Sequence, residues 1–112
     1  MKPERAKFQI DSEMEWTTVA DGIQRKIMGY DNQIMLVQVK FESGAIAATH
    51  EHFHAQASYV VSGKFELTID GEAHILVAGD GFYMEPNSVH GGKCIEAGIL
   101  IDTFSPVRED FI

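Results

Sequence analysis

KFELTIDGEAHILV, residues 64–77, is the stretch whose reading decides the fold. Phe65, Leu67 and Ile69 alternate with Lys64, Glu66, Thr68 and Asp70, the period of two that belongs to a strand with one face inward. Asp70-Gly71 suits a tight hairpin turn, and Ala73 to Val77 returns as the partner strand. The same grammar extends outward. IMLVQVKF (34–41) ends with Val37, Val39 and Phe41 alternating against Gln38 and Lys40. Gly79-Asp80-Gly81 is a turn before Phe82-Tyr83-Met84, which breaks at Pro86, and a last strand runs from Gly98 to Phe104 before Ser105-Pro106. No sustained helical period occurs between Trp16 and Pro106, and the glycines fall mostly between strands. Regular short strands with turn signals predict an all-β domain, a sandwich or barrel. Residues 1–15 are mixed and charged and read as an N-terminal arm or short strand, with the barrel domain over 16–112.

The chain has 112 residues and a mass of 12.5 kDa, enough for one domain. Hydrophobic residues at 45% and charged residues at 23% argue for a packed globule over a disordered chain. Nine basic against seventeen acidic residues give a net charge of −8, which opposes nucleic-acid and anionic-membrane partners. A small acidic ligand stays open, because its binding depends on one local Arg or a metal. Cys94 is the single cysteine and cannot form an intrachain disulfide. The opening MKPERAKFQIDSEMEW has no apolar signal core, and no apolar run approaches the ~20 residues of a membrane helix. The expectation is a cytoplasmic protein.

Four of the five histidines fall in two places: His50, His52 and His54 in THEHFHAQ, and His90 in PNSVHGG. In an extended segment, residues i, i+2 and i+4 share a face, so the first three would point one way with Glu51 and Phe53 opposite. Imidazoles from one strand joined by one from a distant segment form a typical metal-ligand set. The plainer alternative is a solvent-exposed histidine patch with no metal. His74 lies apart and reads as a surface residue.

The glycine framework around these histidines resembles the two-motif signature of the cupins. The first motif reads Gly44, AIAAT, His50-Glu51-His52, FHA, Gln56, ASYVVS, Gly63, with Gln56 at the position usually held by glutamate. The second reads Gly79-Asp80, Pro86 and His90, without its usual closing Asn. This resemblance implies a small single-domain cupin, a double-stranded β-helix or jelly-roll barrel. It also implies His50, His52, Gln56 and His90 as ligands of one divalent metal ion: Zn, Ni, Fe, Mn or Co. Gln56 in place of a carboxylate makes that ligand set neutral and leaves the full 2+ charge on the ion. Such a site favours an anionic ligand and Lewis-acid work over support of a high-valent iron. His54 is left open between a donor behind the ligands, a substrate contact and a pocket-lining residue.

Gly98-Ile99-Leu100-Ile101-Asp102-Thr103-Phe104 carries the second chemical signal. Period two sets Asp102 on a face with Leu100 and Phe104, where an unpaired carboxylate is costly to bury. Burial or a nearby cation shifts its pKa, as in enzymes that prepare a general acid or base. A structural Asp bonded to backbone or to an Arg is the alternative. Arg108 follows Ser105-Pro106 and reads either as that partner, as a clamp for a substrate carboxylate, or as a solvated tail residue.

LIDTFSPVREDF, HEHFHAQASYVVSGKFELTIDGE and GIQRKIMGY together resemble the pectin-degradation cupins (KdgF-like proteins), from about Trp16 to Phe111. In that family the metal set includes glutamine. The resemblance implies functional roles for Asp102, Phe104 and Arg108 in D-x-F-x-P-x-R. Ala55 and Phe53 depart from the family, where Glu and Pro are common. The implied reaction opens the ring of a 4,5-unsaturated uronate released from pectin or alginate, giving linear 5-keto-4-deoxyuronate. Asp102 would be the acid/base group, Arg108 would bind a carboxylate or orient Asp102, and Phe104 would wall the sugar. This is an isomerisation with a small acidic sugar as substrate and no cofactor besides the metal. A homodimer is expected, because small cupins commonly pair through sheet edges. The competing readings are a cupin dioxygenase or other metal-dependent small-molecule enzyme, and a non-catalytic sugar-binding cupin.

Overall fold

The alternation in KFELTID is a strand, and the chain around it is built almost wholly of strands. The computed structural model describes residues 6–112. It runs β1 (Thr17–Ala20), β2 (Ile23–Tyr30), β3 (Met35–Phe41), β4 (Ile46–His50), β5 (Ala55–Val60), β6 (Lys64–Ile69), β7 (Glu72–Val77), β8 (Gly81–Met84), β9 (His90–Glu96) and β10 (Gly98–Ser105). The β6–β7 hairpin turns at Asp70 and Gly71 with φ of 49° and 84°. Positive φ at both central residues matches the right-handed twist of the flanking strands.

The strands form two antiparallel sheets, a six-stranded one ordered β1-β2-β3-β10-β5-β8 and a four-stranded one ordered β4-β9-β6-β7. Alternate residues face the space between them. Val37, Val39, Phe41, Val60 and Leu100 from the larger sheet meet Phe65 and Cys94 from the smaller. Phe41 and Phe65 close the seam edge-to-face at 5.2 Å. Fully burying each such side chain contributes about 1.5–3 kcal/mol. Val37 and Val60, with no exposed surface, are at the centre of this core.

The sheets are tied where the turn after β5 meets the turn between β9 and β10. Gly63 has φ of +87°, and a Cβ there would lie 2.6 Å from the Glu96 carbonyl oxygen. Only glycine lets these backbones approach so closely.

Residues 1–5 of the expected arm lie outside the described residues. From Ala6 to Trp16 the arm is irregular, with one 3₁₀ turn at Asp11–Glu13. It is fastened by Lys26, which is buried and donates to the Asp11 carboxylate at 2.9 Å and to its carbonyl at 3.1 Å. At the other terminus the Ser105–Pro106 peptide is cis, and a 3₁₀ turn at Glu109–Phe111 folds back on the barrel. Phe111 there packs edge-to-face on Phe104 at 5.6 Å.

Candidate metal centre and active site

β4 brings in His50 at its last residue, and β9 brings in His90 at its first, in register opposite His50. His52 comes from the short link between β4 and β5. The ligating atoms of these three histidines lie within 4.8 Å of one another. Each Nδ1 faces a backbone carbonyl: His50 that of Ala48 at 2.7 Å, His52 that of His54 at 3.0 Å, and His90 that of Ser88 at 2.9 Å. Such bonds fix the proton on Nδ1 and leave the Nε2 lone pair free to ligate. Burial lowers the pKa of both His52 and His90, with the positive charge of Arg108 adding to the effect at His52. Both are held in the neutral form that binds metal.

Gln56, at the start of β5, completes the group. Its Oε1 lies 3.1 Å from His52 Nε2, while its amide nitrogen donates to Ser58 Oγ at 3.0 Å. Ser58 in turn donates its only proton to Asp102 Oδ1 at 2.6 Å. The orientation of the Gln56 amide follows from that chain, because Ser58 has no second proton to give. An oxygen lone pair and an imidazole lone pair then face one point. A neutral imidazole bonded through Nδ1 has no proton to offer there. Two lone pairs aimed together are satisfied by a cation between them, so this donor set fits a divalent ion.

His54 departs from the shared-face reading. β4 ends at His50 and the chain bends through Phe53 and His54, so no extended segment carries the three side chains together. His54 turns inward behind His52, stacks on Phe53 at 3.9 Å, and meets the His52 ring edge-to-face at 5.4 Å. It is buried, and its Nδ1 has no partner among the described residues. Burial, followed by the Arg108 charge, lowers its pKa. His74 is exposed and pairs with Glu72 at 2.6 Å.

A cavity of about 240 Å³ opens beside the histidines. Its wall includes His50, Gln56, His90, Asp102, Phe104 and Arg108. The volume is below the roughly 300–1,000 Å³ typical of sites for drug-sized ligands, and suits one small molecule. Asp102 keeps some accessible surface because it lines the cavity, yet protein atoms surround it. Burial pushes its pKa up from 3.8 to about 6, against the opposing effects of Ser58, Gln56 and Arg108. A carboxyl poised near neutrality can both accept and return a proton.

Arg108 reaches back over Phe104 at 5.2 Å and Phe111 at 4.3 Å. Its guanidinium is held in a fork by Asp110, with Nε donating at 3.0 Å and an Nη at 2.8 Å. The sequence reading missed two members of this site. Arg25 on β2 lines the cavity and stacks on Phe111 at 3.7 Å. Its signal was available: Ile23, Arg25 and Ile27 share a face by period two, a cation in an apolar row. Ser58 shares a face with Gln56 and Val60 by the same rule.

Residues 37–102 match the family model of the cupin domain. The chain is 44% identical over 108 residues to the pectin degradation protein KdgF of Dickeya dadantii (strain 3937), covering 95% of this chain and 98% of that one. Among solved structures, an RmlC-like cupin from Shewanella frigidimarina NCIMB 400 superposes with a TM-score of 0.95 at 40% identity, over 99% of this chain and 100% of that one. KdgF from Halomonas sp. superposes with a TM-score of 0.92 at 40% identity, over 96% of this chain and 99% of that one.

Proposed function

Because the chain belongs to the cupin family, and within it to the KdgF group that it matches over nearly its full length, we propose that it opens 4,5-unsaturated uronate rings from pectin or alginate breakdown. The observation that carries this reading is the hydrogen-bonded chain from Gln56 through Ser58 to Asp102, whose two ends line a cavity sized for one sugar. It couples a candidate metal ligand to a carboxyl near neutrality. His50, His52, Gln56 and His90 would hold one divalent ion, whose bound chemistry is Lewis-acid stabilisation of negative oxygen.

The protein's own groups account for the proton movement. Ionised Asp102 takes the proton of the C1 hydroxyl. The former O–H pair forms the aldehyde C=O at C1, and the bond between C1 and the ring oxygen breaks. That oxygen keeps the electron pair as an enolate at C5. Asp102 returns the proton to C4 while C5 becomes a ketone, giving 5-keto-4-deoxyuronate. One proton moves and nothing is oxidised, so the reaction is an isomerisation. Ser58 steadies the carboxylate through its hydroxyl, Phe104 forms an apolar wall, and Arg108 orients Asp102 or meets a carboxylate.

The test is to incubate metal-loaded protein with the monomeric product of a pectin-lyase digest and follow the absorbance of its C4=C5 bond. The expected result is loss of that absorbance with no oxygen consumed. Oxygen uptake would identify the dioxygenase reading, and unchanged absorbance with tight sugar binding the non-catalytic one. We further propose a cytoplasmic homodimer. The edge strand β7 exposes Ile75 and Val77, at 49% and 46%, and open edges invite pairing. Sedimentation at a mass near 12.5 kDa would overturn the dimer.

A further inference from the structure

Arg25 projects from β2 into the face that otherwise carries Ile23 and Ile27 toward the core. It stands in register with Val39 of β3, and Val39 with Leu100 of β10. Asp102 lies two residues further along β10, on the same face. Two strand spacings and two residues of rise separate the two backbone positions by roughly 12 Å. That span accommodates two inward side chains with one pyranose ring between their tips.

The two arginines of the cavity differ in what they already hold. Arg108 is engaged by the Asp110 fork. The ion pairs among the described residues join Lys26 to Asp11, His74 to Glu72 and Arg108 to Asp110, and none includes Arg25. The Arg25 guanidinium carbon stands over the Phe111 ring, 3.7 Å from its centroid, and the group donates to none of the described residues. Phe111 thus carries two guanidinium groups against its ring: Asp110 binds Arg108 through both hydrogen bonds of its fork and reaches Arg25 only as a nearby charge. Lys93, the remaining cation of the lining, is exposed and offers a point charge without a planar fork. A half-buried guanidinium with idle donors fits a planar anion held by two parallel hydrogen bonds.

We propose that Arg25, braced by Phe111, takes the carboxylate of the sugar and so makes the site select uronates over neutral sugars. This rests on the ring-opening reading and deepens it: the carboxylate at Arg25 sets the ring with its C1 hydroxyl toward Asp102. Of the two roles open to Arg108, its fork with Asp110 then leaves the one toward Asp102, whose carboxylate its charge favours.

The experiment compares wild type, Arg25→Gln and Arg25→Lys, each verified as folded by circular dichroism and by metal content. With unsaturated uronate as substrate, Arg25→Gln should raise KM roughly 10- to 100-fold while kcat stays within about threefold, the pattern of lost uniform binding. Arg25→Lys should recover part of the loss, because it restores charge without the fork. An unchanged KM, or a fall in kcat alone, would overturn the assignment. If Arg25→Gln fails to fold, Arg25→Lys decides alone: a KM like that of wild type counts against a bidentate clamp. Calorimetric titration with D-galacturonate and D-galactose separates this proposal from the activity. Wild type should prefer galacturonate and Arg25→Gln should lose that preference, whether or not the ring-opening assay succeeds. Equal binding of the two sugars by wild type would overturn the proposal.

Discussion

Ser58 donates to Asp102 across 2.6 Å and, through the same oxygen, accepts the amide proton of Gln56. One hydroxyl therefore fixes two things at once. It holds the Gln56 oxygen toward the histidines, and it lowers the pKa of a carboxyl that burial alone would raise further. A glutamate at 56 could not donate to Ser58, so the departure from the common cupin motif is matched by its neighbours. The amide keeps a second negative charge away from Asp102.

Asp102→Asn preserves side-chain volume and one acceptor for Ser58 but cannot take up a proton. A general acid/base contributes about 10²–10⁴-fold, so kcat on unsaturated uronate should fall within that range. Metal content should stay near the wild-type level, because Asp102 is not among the proposed ligands. A wild-type rate in the variant would leave Asp102 a structural residue.

The same substitution should stabilise the metal-free protein at neutral pH. The folded-state pKa of Asp102 is raised from 3.8 to about 6. Its favourable contribution is therefore fully present below about 3.8 and is lost as pH rises through about 6. A shift of that size corresponds to about 3 kcal/mol. Denaturant melts of chelator-treated protein should show Asp102→Asn more stable than wild type at pH 7.5, by up to that amount, with the gap closing near pH 4. An equal gap at both values would mean that Asp102 is not held against ionisation.

Ser58→Ala removes the strongest influence lowering the Asp102 pKa and leaves the Gln56 amide without its serine acceptor. The acid limb of kcat/KM, expected near pH 6, should move to higher pH. Metal affinity should weaken by about 10–100-fold, the usual effect of losing a group that orients a ligand. Chelator competition and a pH–rate profile read the two effects separately. If neither moves, the chain from Gln56 to Asp102 has no functional weight.

Much of this was legible because strands write their burial in period two. The inward row of β6 could be read directly from Phe65, Leu67 and Ile69, and its hairpin from Asp70-Gly71. His50, His52 and His90 were legible as a group because their glycine framework has fixed spacing. What escaped was side-chain orientation outside regular strands. His54 follows His52 by two residues, but β4 has already ended, so alternation no longer governs where it points. Arg25 was missed for the opposite reason. It obeys the alternation, but a long cation on an inward face can as readily extend to water, and only the fold shows it stacked on Phe111 inside the cavity.

His52→Ala should lose most of the bound metal. His52 is one of the three clustered imidazoles and the one in contact with Gln56 Oε1. Elemental analysis after dialysis should find wild type occupied and the variant nearly empty, while His74→Ala, at an exposed histidine remote from the cluster, should match wild type. Equal occupancy in wild type and His52→Ala would mean that the ion is held elsewhere.

Gln56→Glu tests why this site carries an amide. The new carboxylate would face the histidines as the oxygen of Gln56 does, so a divalent ion should bind more tightly than in wild type. Ser58 then stands between two carboxylates with one proton to donate, and the Asp102 end loses the lowering effect of the Gln56 amide. A like charge at this range raises a carboxyl pKa, least where bound metal offsets the added charge. The acid limb of kcat/KM should therefore shift upward. An anionic substrate should also bind less well, because the variant centre carries one positive charge fewer. Chelator competition, the pH–rate profile and KM measured above the limb give three independent readings. Tighter metal with an unmoved acid limb would show that Gln56 serves the ion alone and that Asp102 is insulated from it.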